Sequence, residues 1–332
     1  MNKKISVLGA GSWGTALAIL AARNGCQTLL WGHNPDHIAN LARDRQNARY
    51  LPGLPFPETL SVTTDLAEAA AFSNLILVSV PSHAFKDTLI KLKSYVSDDV
   101  KIAWATKGFN PQTGALLHEI VAEVFSAQTP AAVLSGPSFA REVAADLPTA
   151  VTIASFQPNF ANQLADILHS GRFRAYTSSD LIGVEVGGAV KNVLAIATGI
   201  ADGLGFGANT RAALITRGLT EVIRLGVKLG GKQETFMGLA GLGDLILTST
   251  DNQSRNRRFG LALGQGKDRA TATREIGQEI EGVSAAKETF LLAQKYGIEM
   301  PITEQTYKVL YEGLPPLTAV ENLLAREQKS ES

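Results

Sequence analysis

The first half of the chain alternates short apolar segments, rich in β-branched residues, with amphipathic segments. The apolar segments are typical of buried strands and cover residues 5–8, 28–31, 75–80, 100–105, 131–134 and 150–153. The amphipathic segments predict helices over residues such as 15–23, 83–93, 116–125 and 160–168. This alternation predicts parallel strands joined by crossover helices, in a sheet covered on both faces.

The pattern changes near Asp180, and almost no later segment has the character of a strand. The periodicity there predicts helices over residues 183–198, 210–229, 257–263, 284–295 and 303–311. We therefore expect an α/β protein with a doubly wound parallel sheet over residues 1–185 and an all-helical, substrate-binding domain over residues 186–332. The charged tail, residues 326–332, is expected to fray.

The segment between residues 47 and 59 is longer than a packed connection needs. It contains prolines at positions 52, 55 and 57 and has no helical or strand period. It is either a lid over a site or an irregular connection, and the sequence favours neither.

Composition excludes several classes of protein. The 332 residues are 45% hydrophobic and 19% charged, which is ordinary for a globular chain and too apolar for a disordered one. Basic and acidic residues each number 31, so no net charge attracts nucleic acid or anionic lipid, and any anion site must be local. Cys26 is the only cysteine, which excludes an intrachain disulfide and a cysteine-rich metal site and suits a reducing compartment.

The amino-terminal segment has some features of a secretory signal, because Lys3 and Lys4 precede an apolar stretch. Glycines interrupt that stretch, however, and a strand, a glycine turn and a helix explain it better. No segment reaches the ~18 apolar residues that a membrane span needs. We therefore expect no leader and no membrane insertion.

Three glycines, Gly9, Gly11 and Gly14, follow the first predicted strand and open the first predicted helix. In a Rossmann-type fold the first glycine allows a tight turn, the second lets the backbone approach a pyrophosphate, and the third lets helix and strand pack closely. The start of the helix adds free N–H groups and a positive dipole end. The motif in this context predicts dinucleotide binding.

The second strand ends without the carboxylate that would bind the ribose 2′-hydroxyl of NAD, and His33 stands near that position. A 2′-phosphate would therefore meet no repulsion, and Arg43, Arg45 and Arg49 could complement it. We expect NADP(H) to be accepted as well as NAD(H), and even preferred. In the alternative interpretation, His33 only stacks on or near the adenine.

Ligands of an open parallel sheet bind beyond the carboxyl ends of its strands, so the residues that follow each strand are candidates. Lys107 follows the fourth apolar segment, residues 100–105, and places a cation at its end. Gly136 and Ser138 follow residues 131–134 and offer open backbone and a hydroxyl group. The alternatives are a solvated lysine and an ordinary turn.

Two further segments lie in the helical half. Gly187 and Gly188 share a helix face with Lys191, which predicts either a flat surface for a small ligand or tight helix packing with the lysine reaching outward. Asp244 follows a glycine-rich stretch, and residues 252–258 place polar and basic side chains before a helix. Such a helix start is a phosphate site, with a surface basic patch or a nucleic-acid contact as alternatives. Net neutrality and the lack of interleaved aromatic residues count against nucleic acid.

Taken together, the segments GAGSWGTALA, WATKG, SGPSFARE, GGAVKNV, GLGDL and SRNRRFG are similar to those of bacterial NAD(P)-dependent glycerol-3-phosphate dehydrogenases, in order and over nearly the whole chain. The resemblance implies interconversion of sn-glycerol 3-phosphate and dihydroxyacetone phosphate in the cytoplasm, for phospholipid synthesis, by a homodimer. It implies Lys191 as the general base. It implies substrate contacts at Lys107, Gly136, Ser138, Lys191, Asp244, Ser254, Arg255 and Asn256. It implies cofactor contacts at Ser12, Trp13, His33, Lys107, Ala140, Arg255 and Glu281, beside the glycines of the turn.

The residue types suit this chemistry. Oxidation of a secondary alcohol needs a base for the hydroxyl proton, and reduction of the ketone needs a proton donor; a lysine whose pKa is brought towards neutrality serves both. Burial and a nearby Lys107 would lower the pKa of Lys191, and a close Asp244 would raise it. No metal is required, since lysine supplies both the charge and the proton.

Two rival functions remain open from the sequence. One is a related dehydrogenase acting on a carboxylated 3-hydroxy acid, and the other is a non-catalytic regulator that binds NAD(P). The first would need a carboxylate site in place of the phosphate site. The second would need no lysines at the strand ends.

Overall fold

The computed structural model describes residues 3–326 and forms two compact units, Met1–Glu185 and Val186–Ser332. The amino-terminal unit contains an eight-stranded sheet with the order β3-β2-β1-β4-β5-β6-β7-β8. Its strands are β1 (Lys4–Leu8), β2 (Gln27–Trp31), β3 (Leu60–Thr63), β4 (Leu75–Val78), β5 (Lys101–Trp104), β6 (Ala131–Ser135), β7 (Thr149–Ser155) and β8 (Phe173–Ser178). The reversal of strand order on either side of β1 is that of a doubly wound fold.

Helices cover the sheet. In the amino-terminal unit they are α1 (Ser12–Arg23), α2 (Pro35–Asp44), α3 (Leu66–Phe72), α4 (Ser82–Lys93), α5 (Leu117–Val124), α6 (Ala140–Ala144) and α7 (Pro158–Leu168). Helix α1 is buried from Gly14 to Ala22, and its small residues let it lie close to the sheet. The strand–turn–helix interpretation of the amino-terminal segment is thus confirmed.

The six predicted strands are present, and two strands were missed. Strand β3 has only four residues, LSVT, of which two are buried. Strand β8, FRAYTS, lies at the sheet edge with most of its side chains exposed or half-buried. Neither strand has the continuous apolar run of a strand buried on both faces, which is the feature on which the prediction depended.

The predicted parallel sheet is confirmed except at one pair, since β6 and β7 are antiparallel. The connection between them contains only the five-residue helix α6, which packs against α1. The chain then returns along β6 in the opposite direction. Burial on both faces produces the same apolar run for either strand direction, so the sequence pattern carries no information on this point.

The proline-containing loop, residues 47–59, is a packed connection rather than a lid. The side chain of Asn47 is fully buried, and Leu51 and Phe56 belong to the hydrophobic core. An isolated bridge between Gln46 and Pro55 closes the base of the loop. These contacts account for its irregular course, because its backbone is fixed by packing and not by a repeating hydrogen-bond pattern.

All the regular elements of the carboxy-terminal unit are helices, within the residues that the structure describes. Its elements, counting the helix that leads into it, are α8 (Leu181–Gly203), α9 (Ala208–Lys228), α10 (Gln233–Phe236), a π-helical turn (Leu239–Gly243), α11 (Asp244–Thr250), α12 (Arg255–Gly264), α13 (Arg269–Ile276), α14 (Glu281–Tyr296), α15 (Pro301–Tyr311) and α16 (Pro316–Leu324). Apolar residues of α8 such as Val193 and Ile196 pack with Phe259 of α12 in the core. The tail that we expect to fray lies, beyond Arg326, outside the described residues.

Helix α8 is long and apolar enough to cross a membrane by length and composition. Of its 18-residue apolar window, 89% is buried inside the protein. Such burial is typical of the core helix of a soluble protein.

Candidate active site

Packing of the protein itself accounts for two of the three glycines in the turn after β1. Gly9 has a φ of +120°, and a Cβ there would lie 2.6 Å from the carbonyl oxygen of Ser79. A Cβ on Gly14 would lie 1.9 Å from the carbonyl oxygen of Gly9. Gly11 has ordinary extended backbone, and among residues 3–326 no heavy atom beyond its own neighbours approaches within 4 Å of a Cβ built on it. The open side of Gly11 fits a group bound against the backbone.

Helix α1 begins at Ser12, directly after this open position, and its first turn contains no acidic residue. The first N–H groups of a helix have no partner within it, and they carry the positive end of the helix dipole. Ser12 and Trp13 are half-buried in this turn. The residues present therefore fit the pyrophosphate of a dinucleotide.

His33 is exposed just beyond the end of β2, with no carboxylate in the position expected for an NAD-specific site. The three downstream arginines have different surroundings. Arg45 donates to the carbonyl oxygens of Pro57 in the loop and Leu60 at the start of β3, at 2.7 and 2.8 Å, so its guanidinium stabilises this segment. Arg43 is paired with the adjacent aspartate, and Arg49 lies over a tyrosine ring at 5.1 Å. Arg43 and Arg49 therefore remain the candidates for a 2′-phosphate.

Three predicted residues at the carboxyl ends of β5 and β6 meet at one carbonyl oxygen. Nζ of Lys107 donates to the Gly136 oxygen at 3.5 Å, and Oγ of Ser138 donates to the same atom at 2.9 Å. Gly136 has a φ of +149°, and a Cβ there would lie 2.9 Å from the Cα of Val151. Only glycine fits this position, which turns the backbone beside the lysine. Ala140 follows as the first residue of α6.

In the carboxy-terminal unit, Lys191 lies in the middle of α8 with only 6% of the residue exposed. Its Nζ donates to Oδ1 of Asp244, which is 1% exposed, and to Oγ1 of Thr248 at 2.8 Å. An ammonium buried in an apolar helix is costly unless it is paired and hydrogen-bonded. The structure supplies both partners from α11, and the outward-reaching lysine of the alternative interpretation is excluded.

Close packing between the backbones of α8 and the π-helical turn brings Lys191 and Asp244 together. A Cβ on Gly187 would lie 2.6 Å from the carbonyl oxygen of Ala240, in the π-helical turn that precedes Asp244. A Cβ on Gly241 would lie 2.1 Å from the carbonyl oxygen of Phe236. Gly187 thus serves helix packing rather than a flat ligand surface. Its absent side chain lets α8 approach the segment that carries the aspartate.

The predicted phosphate site lies at the start of α12. Ser254 is its N-cap, and Oγ accepts from the backbone N–H of Arg257 at 3.2 Å. Arg255 is half-buried, and its guanidinium donates to Oε1 of Gln278 at 3.5 Å. A capped helix start with an adjacent, partly accessible arginine suits a phosphate dianion.

Asn256, the next residue, connects this helix start to two other elements. Its Nδ2 donates to Oδ1 of Asn192, which follows Lys191 on α8, at 2.9 Å. Its Oδ1 accepts from the backbone N–H of Gly282 at 2.9 Å. Glu281 precedes that glycine as the first residue of α14 and is half-buried. Asn256 therefore fixes α8, the start of α12 and the start of α14 to one another.

Arg257 does not belong to a surface basic patch, which was the alternative interpretation of residues 252–258. It is buried, and its guanidinium pairs with Asp202 at 2.5 Å and donates to the Ser249 carbonyl oxygen at 3.1 Å. It also donates to Oδ1 of Asn252. Arg257 therefore anchors the loop before Ser254 from inside the protein.

Comparison with known proteins gives a consistent result. The family model of the NAD-dependent glycerol-3-phosphate dehydrogenase N-terminus matches residues 4–161, and that of the C-terminus of the same family matches residues 180–321. The chain belongs to the NAD-dependent glycerol-3-phosphate dehydrogenase family. It is therefore a nicotinamide-dependent oxidoreductase, and the recognition of the family from its sequence segments is confirmed.

Relatives in this family align over nearly their whole length. A glycerol-3-phosphate dehydrogenase [NAD(P)+] of Pseudoalteromonas translucida is 59% identical over 98% of both chains. That of Methylococcus capsulatus is 58% identical over 100% of this chain and 99% of its own. The crystal structure of the Coxiella burnetii glycerol-3-phosphate dehydrogenase is 53% identical and superposes with a TM-score of 0.95, covering 98% of this chain and 99% of that one.

A more distant likeness concerns the fold alone. A D-mandelate dehydrogenase with NADH is 13% identical with a TM-score of 0.66, covering 96% of this chain and 99% of that one. The carboxylated-substrate rival therefore gains no support from it beyond the shared architecture.

The buried lysine cluster consists of Lys191, Asp244 and Thr248. Thr248 was not among the residues predicted from the sequence. Thr248 follows Asp244 by four residues, which places both on one face of α11. That spacing was available in the sequence once α11 had been recognised. The glycines before Asp244 concealed the helix, because glycine weakens a helical prediction.

Proposed function

We propose that the chain transfers a hydride between NAD(P)H and the carbonyl carbon of dihydroxyacetone phosphate, giving sn-glycerol 3-phosphate, and catalyses the reverse oxidation. The buried cluster of Lys191, Asp244 and Thr248 carries the proposal, because a proton donor and acceptor is what the reaction needs beside the hydride. The names of the relatives, glycerol-3-phosphate dehydrogenase [NAD(P)+], agree with it.

The two units divide the work. The amino-terminal unit, residues 1–185, binds the dinucleotide, and the carboxy-terminal unit, residues 186–332, binds the phosphorylated substrate. The open backbone at Gly11 supports the first role. The capped, arginine-bearing start of α12 supports the second.

In the reduction, Nζ of Lys191 gives a proton to the carbonyl oxygen, and in the oxidation it takes the proton of the secondary hydroxyl. The nicotinamide, when bound, supplies or accepts the hydride. Asp244 and Thr248 hold the amine in one orientation, so that the proton moves along a fixed direction. Lys107 places a second cation at the strand ends, where it stabilises negative charge that develops on the oxygen.

Contacts to the substrate's phosphate group supply binding energy at a distance from the reacting carbon. The N–H groups at the start of α12 and the Arg255 guanidinium bind the dianion, with Ser254 and Asn256 fixing the local backbone. This contact lies away from the reacting carbon and positions it. Gly136 and Ser138 complete the substrate contacts, and Ala140 and Glu281 complete those to the cofactor.

Both cofactors are accepted, because β2 is followed by Gly32, His33 and Asn34 and not by a carboxylate that would repel a 2′-phosphate. Arg43 or Arg49 binds that phosphate. Comparison of kcat/KM for NADH and NADPH tests this part, and a strong preference for NADH would overturn it.

The protein acts in the cytoplasm as a homodimer and supplies glycerol 3-phosphate for phospholipid synthesis. A reducing compartment suits the single thiol, and burial raises the pKa of Cys26 to about 11, which keeps it unreactive. A dimer is the commonest assembly of soluble enzymes. The mass of the purified protein in solution tests the assembly.

The decisive experiment follows NAD(P)H consumption with dihydroxyacetone phosphate, with a 3-oxo acid as the parallel substrate. Turnover confined to the phosphorylated ketone supports the proposal. Turnover confined to the oxo acid favours the carboxylate-specific dehydrogenase, and NAD(P)H binding with no turnover on either favours the regulator.

A further inference from the structure

The carbonyl oxygen of Ala10, between Gly9 and Gly11, accepts two hydrogen bonds from side chains outside the glycine turn. Nδ2 of Asn47 lies 3.1 Å from it, and Nε2 of His37 lies 3.1 Å from it. Since a carbonyl oxygen only accepts, that histidine nitrogen carries its proton. Two donors on one backbone atom hold the peptide group in a single orientation.

Asn47 also reaches the helix on the other side of the turn. Its Nδ2 donates to Oγ1 of Thr15 at 2.8 Å, and the backbone N–H of Thr15 donates to the Gly11 carbonyl oxygen at 3.0 Å. Its Oδ1 accepts from the backbone N–H of Tyr50 at 3.2 Å. One side chain thus fixes residues before and after the open backbone position.

We infer that Asn47, with His37 in support, is a positioning residue that aims the backbone N–H groups of the glycine turn at the pyrophosphate of the cofactor. The peptide between Ala10 and Gly11 is trans, so its C=O and N–H groups point in opposite directions. Because Asn47 and His37 hold the carbonyl oxygen of Ala10, the N–H of Gly11 points to the opposite side of that peptide. Within residues 3–326, a Cβ built on Gly11 would also meet open space.

The burial of Asn47 indicates that its amide hydrogen bonds matter, and not only its contribution to loop packing. The residue is fully buried, and an amide in that position is stabilising only while its hydrogen bonds are made. An apolar side chain could fill a loop core as well, without that dependence. Only an amide, however, can donate to Ala10 and Thr15 while accepting from Tyr50.

The inference rests on the proposed cofactor site, and its test measures binding directly. Asn47→Asp keeps the shape and the acceptor for Tyr50 but places a carboxylate oxygen against the Ala10 carbonyl oxygen. We expect the Kd of NADPH, titrated by its fluorescence, to rise at least about tenfold, the effect of losing one hydrogen bond of ordinary strength. The kcat at saturating cofactor should stay within about threefold, because residues of the lysine cluster are untouched.

Thr59→Val is the matched control. Oγ1 of Thr59 ties the same loop to α1 through the Ala22 carbonyl oxygen at 3.1 Å, at the end of the helix away from the turn. This variant should lower the melting temperature and leave the Kd of NADPH unchanged. An equal rise in Kd for both variants would mean general loosening of the loop and would overturn the inference.

Competition with fragments adds a second readout. ADP-ribose, which carries the pyrophosphate, should lose affinity for Asn47→Asp by the same factor as NADPH, whereas adenosine should not. A loss shared equally by adenosine would assign Asn47 to the adenine side and overturn the inference.

His37→Phe decides the matter if Asn47→Asp does not fold. Phenylalanine keeps the edge contact with the Tyr50 ring, 5.4 Å between centroids, and removes the second donor to Ala10. We expect a rise of about threefold in the Kd of NADPH; an unchanged value overturns the inference. Failure of the wild-type protein to bind either NADPH or NADH would instead refute the proposed function.

Discussion

Two alanine substitutions in the glycine turn, Gly14→Ala and Gly11→Ala, should distinguish residues that the fold requires from residues that cofactor binding requires. A Cβ on Gly14 would lie 1.9 Å from the Gly9 carbonyl oxygen, so the Gly14→Ala variant must shift backbone. A Cβ on Gly11 meets no other part of residues 3–326 within 4 Å, and the backbone there is in a region that alanine adopts freely. We predict opposite behaviour for these two variants.

The magnitudes follow from these distances. Overpacking of this kind costs about 1–3 kcal/mol, so Gly14→Ala should lower the melting temperature by about 2–4 °C per kcal/mol. At Gly11, loss of unfolded-state entropy stabilises by about 0.4–1 kcal/mol, and the poorer N-cap costs a similar amount. The stability of Gly11→Ala should therefore stay within about 1 kcal/mol of wild type.

Cofactor affinity should show the reverse order. The methyl group of Gly11→Ala occupies the space through which a pyrophosphate reaches the backbone, and we expect the Kd of NADPH to rise at least about tenfold, or 1.4 kcal/mol. Thermal unfolding of the free protein and fluorescence titration of NADPH measure the two quantities separately. Unchanged affinity in a folded Gly11→Ala protein would refute the placement of the cofactor at this turn.

Three further predictions concern the carboxy-terminal unit. Lys191→Ala should reduce kcat at least ~100-fold with NADPH binding preserved, and near-normal turnover would remove Lys191 from the proton-transfer step. Arg255→Ala should weaken glycerol 3-phosphate far more than glycerol, as steady-state kinetics with both substrates would show; equal losses would exclude the phosphate contact. Burial raises the pKa of Glu221 from 4.5 to about 7, outweighing its hydrogen bonds from Ile302 and Thr303. Because the folded protein then holds this proton more tightly than the unfolded chain, Glu221 favours folding below pH 4.5, and that contribution, about 3 kcal/mol at most, is lost as the pH rises through 7. Chemical denaturation at several pH values should show a flatter profile for Glu221→Gln, and an unchanged profile would contradict the assignment.

The sequence pattern predicted the central architecture because buried strands and amphipathic helices have distinct periods. It failed for β3 and β8, where edge position or short length removes the apolar run. It could not give the direction of β7, since a strand buried on both faces has the same composition in either direction. Local pattern thus determines the elements better than their pairing.

Candidate residues were predicted by type and by position at element ends, but their contacts were not. Lys191 and Asp244 are separated by 53 residues, and nothing in either segment specifies that they meet. Their contact depends on Gly187, whose missing side chain lets α8 approach the π-helical turn. It also depends on Gly241, whose missing side chain lets that turn pack against Phe236 of α10. The sequence around Gly187 is compatible with a ligand surface or with helix packing, and only the distance to the Ala240 carbonyl oxygen decides between them.

The residues of the lysine cluster and of the glycine turn differ in whether the packing of the fold requires them. Replacement of a buried ion pair by well-packed apolar residues is often neutral or stabilising, so the fold of α8 has no need of Lys191 and Asp244. Gly9 and Gly14, by contrast, are required by the packing around them whether or not a cofactor binds. Gly11 resembles the ion pair in this respect, because the packing leaves room for a side chain that the residue lacks. Lys191, Asp244 and Gly11 are residues that the fold does not require. They are therefore the ones that indicate a catalytic or binding role.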